Sequence, residues 1–199
     1  MYLHDDVEDF KERIKDCHDH VYIDEAMIEK DYFVTLFLKH LFETEPNVVF
    51  KGGTCLSKCH KLIDRFSEDI DITMRPNATQ KQKRGLKYNI IDTANKLGLQ
   101  HTNADTIFSG RSYAEHVIAY PSQFANEALK PFLLVETFFR PTTLPTLTLP
   151  ASSLLYEHLK GNDTDNVIPK FDLEPFDISV QSLQVTFIDK LLALNSNYL

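Results

Sequence analysis

A mixed α/β domain in which antiparallel strands are covered by helices is the fold class predicted here, and three observations predict it. Helix-spaced and strand-like apolar runs follow one another in the order helix, strand, helix, strand, helix, strand, strand. The 199 residues suit one fairly large domain, or one domain with an appendage, and 43% of them are hydrophobic, enough for a proper core. Neither an internal repeat nor a low-complexity tract breaks the pattern.

From Asp5 to His20 the apolar positions Val7, Phe10, Ile14 and Cys17 recur at spacings of three and four, which predicts a thin amphipathic helix on the surface. Asp24 is a plausible N-cap for a long, well-buried helix with Met27, Phe33 or Val34, Phe37 and Leu41 along one stripe. Pro46 closes it, and Asn47 to Phe50 reads as a short buried strand. Thr54 can cap a helix running to about Asp64. Asp69 to Met74 alternates polar and apolar residues as a half-buried strand does, and Pro76 ends it.

A helix from about Thr79 to Leu97 ends at Gly98, and strands are expected at Ala114 to Tyr120 and Phe132 to Phe139. The run RPTTLPTLTLP reads as an extended connector, because its prolines forbid a central strand or a helix interior. A helix near Ser152 to Leu159, a polar loop GNDTDN, a strand near Phe176 to Val180 and a last helix from about Leu183 complete the chain.

The net charge of -8 and pI of about 5.4 exclude general attraction to nucleic acid, so such binding would need a local basic patch. No run approaches the roughly 18 apolar residues of a membrane span, and the start, MYLHDDVEDFKER, lacks a signal-peptide core. The odd count of Cys17, Cys55 and Cys59 matches no disulfide framework, so a cytosolic location is expected, with no membrane partner.

The stretch KGGTCLSKCHKLIDRFSEDID carries the chemistry. Asp69 and Asp71, two apart in a strand, project from one face with Cα atoms roughly 6 to 7 Å apart. Carboxylates so placed repel each other unless a cation lies between them, and Mg2+, held by one or two carboxylates and by substrate phosphates, resolves the conflict. Gly52 and Gly53 lack a Cβ and let the backbone approach a ligand, ahead of a helix start that favours an anion. Metal-assisted phosphoryl or nucleotidyl transfer needs such a geometry. Glu136, the only charge in PFLLVETFF, is the candidate third carboxylate, and Ser67 falls on the Asp69 face if the strand begins that early.

Three segments, EKDYFVTLFLKHLF from Glu29, FKGGTCLSK from Phe50 and RFSEDIDI from Arg65, resemble the nucleotidyltransferase toxins of the AbiEii/AbiGii type. The match is clear over about residues 25 to 75 and weak in the middle. The resemblance implies a polymerase-β-like nucleotidyltransferase core, a mixed sheet flanked by helices. It divides the chain into N-terminal helices over 1–45, the core over 46–145 and a C-terminal helical segment over 146–199.

It further implies a toxin of a bacterial type IV toxin–antitoxin or abortive-infection system that transfers a nucleotide from a nucleoside triphosphate to an acceptor, tRNA, using two Mg2+ ions. A cognate antitoxin is then expected, direct contact being left open. Residue by residue, the triphosphate falls to Gly52 and Gly53 with Lys51, Thr54 and Ser67 around them, and Lys58 takes a neighbouring supporting role. The metals fall to Asp69 and Asp71 with Glu136. Lys190, in TFIDKLLAL, matches a lysine that the family carries on a later helix and is expected to be catalytic, at the phosphate or as a base. The family continues beyond that helix to an arginine–aspartate motif, whereas this sequence stops at NSNYL, so a truncated C-terminal part is expected. The alternatives are a nucleotide-binding module without transfer activity and a small-molecule nucleotidyltransferase.

Other signals are blander. Cys55, Cys59 and His60 lack the second ligand pair of a zinc module, and Cys17, His18 and His20 do not share a helical face. Lys81, Lys83, Arg84 and Lys87 read either as a solvated helix face or as a contact for an RNA backbone.

Overall fold

The structure, a computed structural model, describes residues 1–63, 66–108, 112–139, 145–161, 163 and 165–196. In chain order the elements are α1 (Val7–Val21), α2 (Glu25–Thr44), β1 (Val48–Lys51), α3 (Gly52–Lys58), β2 (Asp69–Met74), α4 (Gln80–Lys96), β3 (Gln100–His101), β4 (Tyr113–Ala119) and β5 (Phe132–Phe138). They continue with β6 (Thr146–Ala151), α5 (Leu154–Leu159), α6 (Val167–Lys170), β7 (Phe176–Gln181) and α7 (Leu183–Ser196).

All seven strands join one sheet in the order β3-β4-β5-β2-β1-β7-β6. The fold class is the expected one, α/β with a mixed sheet: β2 runs parallel to β5 and β1 parallel to β7, while the other pairs are antiparallel. Strand alternation sorts most of the residues. Val48, Phe50, Ile70, Ile72, Leu133, Val135, Ile118, Ile178 and Val180 enter the core, joined on that face by the buried His116 and Thr137, while Lys51, Asp69, Asp71, Glu115 and Glu136 face the other way.

Helix α2 is the spine of that core. The Asp24 carboxylate caps it by accepting from the Ala26 amide at 3.0 Å. The helix is buried almost all round, from Ala26 to Leu41, because α1, α4, α5 and the sheet all pack on it. Among the described residues no helix is long and apolar enough to cross a membrane.

Three expectations change. The helix after the glycines begins at Gly52, not at a Thr54 cap, and ends at Lys58 instead of running to Asp64, which lies outside the described residues. The proline-spaced stretch supplies β6, paired antiparallel with β7; it tolerates Pro150 because β6 is the edge of the sheet, where a missing donor breaks no ladder. Its first five residues, 140–144, lie outside the described residues. The segment expected to be helical from 146 onward therefore also supplies two strands to the sheet.

Candidate active site

The registers of four adjacent strands line up charge. Lys51 on β1 stands opposite Asp71 on β2, Asp71 opposite Glu136 on β5, and Glu136 opposite Glu115 on β4. Cross-strand partners share a face, so Lys51, Asp71, Glu136 and Glu115 form one row across the sheet, with Asp69 two residues along β2 on the same side. Three carboxylates thus adjoin one another with a single ammonium at the end of the row.

The row is electrostatically crowded. Burial pushes the Asp71 carboxyl up to about 7; Lys51 opposes this, while a hydrogen bond with Glu136 and the nearby Asp69 add to it. The Tyr113 hydroxyl lies 2.5 Å from both Glu115 Oε1 and Glu136 Oε1, and its own acidity is suppressed, first by burial and then by those two carboxylates. Lys130, in the segment leading into β5, places its ammonium 2.8 Å from Asp69 Oδ1.

Gly52 is required by this arrangement. Its φ is +76°, and a Cβ there would lie 1.9 Å from Asp71 Oδ2. The Asp71 carboxylate therefore rests against bare backbone, which brings together the two signals that the sequence keeps nineteen residues apart. Gly53 follows it as the second residue of α3.

Other expected site residues have partners of their own. The buried Thr54 hydroxyl donates to the Asp69 carbonyl at 2.5 Å and meets the Ser67 hydroxyl at 3.0 Å, which pins α3 to the start of β2. The Lys58 ammonium donates to Asp31 at 2.5 Å, to Thr35 Oγ1 at 2.7 Å and to the Ser152 carbonyl at 3.0 Å, so all its hydrogens are used behind α3. A cavity of about 440 Å³ lies beside them, lined in part by Thr54, Ser57, Lys58, Ser67 and Ser153. Lys190 is exposed on α7 and forms no ion pair with the row among the described residues. On α4, Lys81 and Arg84 are exposed, and Lys87 donates to the Ile107 carbonyl at 2.7 Å. Arg65 lies outside the described residues.

The EKDY residues support the row from behind. Lys30 is fully buried; its ammonium binds Glu68, immediately before Asp69, and the Lys130 carbonyl at 2.7 Å. Glu68 also accepts from the Lys130 amide at 3.0 Å. Asp31 accepts from Lys58 and from the Leu154 amide, and Glu29 accepts from Ser122 Oγ at 2.6 Å and the Gln123 amide at 2.7 Å. Lys130, Tyr113 and Glu115 are the site residues that sequence reasoning missed. Aligning the two strands β4 and β5 as a hairpin would have set Glu115 against Glu136, but the periodicity of neither strand states its register.

The donor set fits a hard divalent cation. It consists of carboxylate oxygens alone, and Asp71, Glu136 and Glu115 stand side by side across three strands with no basic residue between them.

Comparison with known proteins gives a family and a fold likeness. The model of the family described as nucleotidyl transferase AbiEii toxin, type IV toxin–antitoxin system, matches residues 36–198. No curated protein sequence matched. A similar solved structure is that of MenT4, a nucleotidyltransferase toxin from Mycobacterium tuberculosis H37Rv, with a TM-score of 0.56 and 18% identity. The alignment covers 92% of this chain and 57% of that one, so this chain spans little more than half the length of the protein it resembles.

Proposed function

The chain belongs to the family of AbiEii nucleotidyltransferase toxins of type IV toxin–antitoxin systems, and from that premise we propose that it transfers a nucleotide from a nucleoside triphosphate to an RNA acceptor, tRNA. The observation that carries the proposal is the row of Asp71, Glu136 and Glu115 beside Asp69, with Gly52 opened to backbone where Asp71 rests. Asp69, Asp71 and Glu136 would hold two Mg2+ ions. Bound there, Mg2+ supplies the positive charge that activates an acceptor hydroxyl and stabilises departing pyrophosphate.

The chain's own groups do the positioning. Lys51 offers an ammonium at the end of the row, next to the Gly52 and Gly53 turn where a triphosphate can approach backbone. Thr54, Ser67 and Lys58 keep α3 and the start of β2 in place beneath it, and Lys190 reaches the phosphates from α7. Tyr113 keeps Glu136 and Glu115 oriented in the row. Lys130 holds Asp69 until substrate charge competes for it. An antitoxin is the cognate partner.

The test is incubation with labelled nucleoside triphosphates, Mg2+ and total tRNA. Label enters RNA with the native chain and not with the Asp69→Ala/Asp71→Ala double variant. Incorporation that survives the double substitution refutes the site.

A further inference from the structure

Helix α1 carries Asp16 and His20 four residues apart, a spacing that stacks side chains on one helical face. Helix α5 packs against α1 and brings His158 to the same point. His158 Nε2 lies 2.7 Å from Asp16 Oδ2, and His20 Nδ1 lies 3.6 Å from Asp16 Oδ1. The two imidazole centroids are 4.8 Å apart. One ligand atom from each of the three side chains falls within 4.8 Å of the other two. None of these residues belongs to the carboxylate row.

We propose that Asp16, His20 and His158 form a second metal site, selective for a borderline-soft divalent ion such as Zn2+, that clips α1 to α5. Two imidazoles and one carboxylate are a donor set that Zn2+ accepts, with water in the fourth tetrahedral position, whereas Mg2+ prefers oxygen alone. His20 is already prepared for ligation. Its Nδ1 lies 2.7 Å from the Asp16 backbone carbonyl, so this nitrogen keeps the proton and the lone pair of the neutral ring sits on Nε2. Asp16 already accepts from His158 Nε2, so the carboxylate faces the second imidazole at hydrogen-bond distance.

Contraction of the cluster to zinc distances of about 2.0–2.2 Å requires only exposed side chains to move. The Asp16 and His20 side chains are 50% and 63% exposed, while His158, at 13%, is the fixed point. The consequence reaches the transferase site indirectly. The start of α5 supplies the Leu154 amide to Asp31, and Ser152 just before it supplies a carbonyl to Lys58, so a metal that fixes α5 on α1 also stiffens the support behind α3.

The experiment uses the tag-free full chain carrying Asp69→Asn, Asp71→Asn and Glu136→Gln, so that the three proposed Mg2+ ligands of the carboxylate row are removed. Zn2+ and Co2+ are titrated with calorimetric and visible-absorption readouts, and the melting temperature is recorded with Zn2+ and with Mg2+. The expected result is one equivalent of Zn2+ bound, a tetrahedral Co2+ spectrum and a melting temperature raised by Zn2+ but not by Mg2+. Substituting His158→Gln should weaken Zn2+ binding by at least about tenfold, as loss of a ligand or its support does. The same loss in His20→Gln, an exposed position whose change leaves the fold intact, separates ligation from misfolding. Absence of a bound equivalent at 100-fold excess Zn2+, or unchanged affinity in the His20→Gln/His158→Gln double variant, overturns the proposal. Because the three proposed Mg2+ ligands are absent throughout, neither outcome depends on the transferase reading.

Discussion

Two groups of charge, one around the helices α2 and α3 and one on the strands of the sheet, are treated in opposite ways. Behind the sheet, around α2, each buried charge has a partner: Lys30 has Glu68, Lys58 has Asp31, Lys39 has Asp172, and Glu29 accepts from Ser122 and the Gln123 amide. On the other side, Asp71, Glu136 and Glu115 adjoin one another, and a tyrosine hydroxyl stands where a cation would be expected. Balanced charge of the first kind specifies how elements meet. Unbalanced charge of the second kind costs stability and persists where a ligand restores the balance.

The comparison can be broken in several ways. The largest effect is expected in activity: Asp71→Asn should lower nucleotide transfer by about a thousandfold, the scale of losing a charge-stabilising group in a reaction centre, and Gly52→Ala by at least about a hundredfold, since its Cβ would displace the Asp71 carboxylate. Label incorporation into RNA measures both. Next comes the balanced face. Lys30→Met leaves Glu68 and the Lys130 carbonyl without their partner and should cost about 3 kcal/mol, the scale of breaking a buried pair, read as a fall of roughly 10 °C in melting temperature.

On the unbalanced face the sign reverses. A carboxyl whose folded pKa is raised costs stability increasingly as pH climbs above its unfolded value, and for Asp71 that cost is complete above about 7. Asp71→Asn should therefore stabilise the metal-free protein at pH 8, by on the order of 2 kcal/mol, in a urea titration.

A smaller effect concerns pH. Burial holds His116 down to about 3 and lowers His4, His40 and His101 as well. Their stabilisation is present above the unfolded histidine value of about 6.5 and is lost as pH falls below it. His116→Gln should flatten the dependence of the urea midpoint between pH 7.5 and pH 5. The smallest change is expected from Lys83→Glu/Arg84→Glu on α4, a weaker and less salt-dependent retention of tRNA in a filter assay.

Much of this architecture is legible in the residues. The long apolar stripe of α2, the alternation in DIDITM and the cap at Thr79 each state their element locally, and Asp24 and Thr79 do cap their helices. What is not legible depends on pairing across distance. Prolines in β6 suggest a connector unless its edge position is known. Glu115 becomes a site residue only through the register of β4 on β5. His158 meets Asp16 only through the packing of α5 on α1. The EKDY run shows the limit from the other side: its pattern is plain, yet the part each residue plays emerges only from partners as distant as Lys130 and Leu154.

The central claim is that the carboxylate row is unbalanced because a divalent cation completes it. The most direct measurement is the melting temperature of the native chain and of Asp71→Asn at pH 8, each without metal and with 10 mM Mg2+ plus nucleoside triphosphate. The account predicts that the variant is the more stable of the two without metal and that only the native chain gains stability when Mg2+ and triphosphate are added. Equal gains in both proteins, or a variant less stable than the native chain without metal, would contradict it.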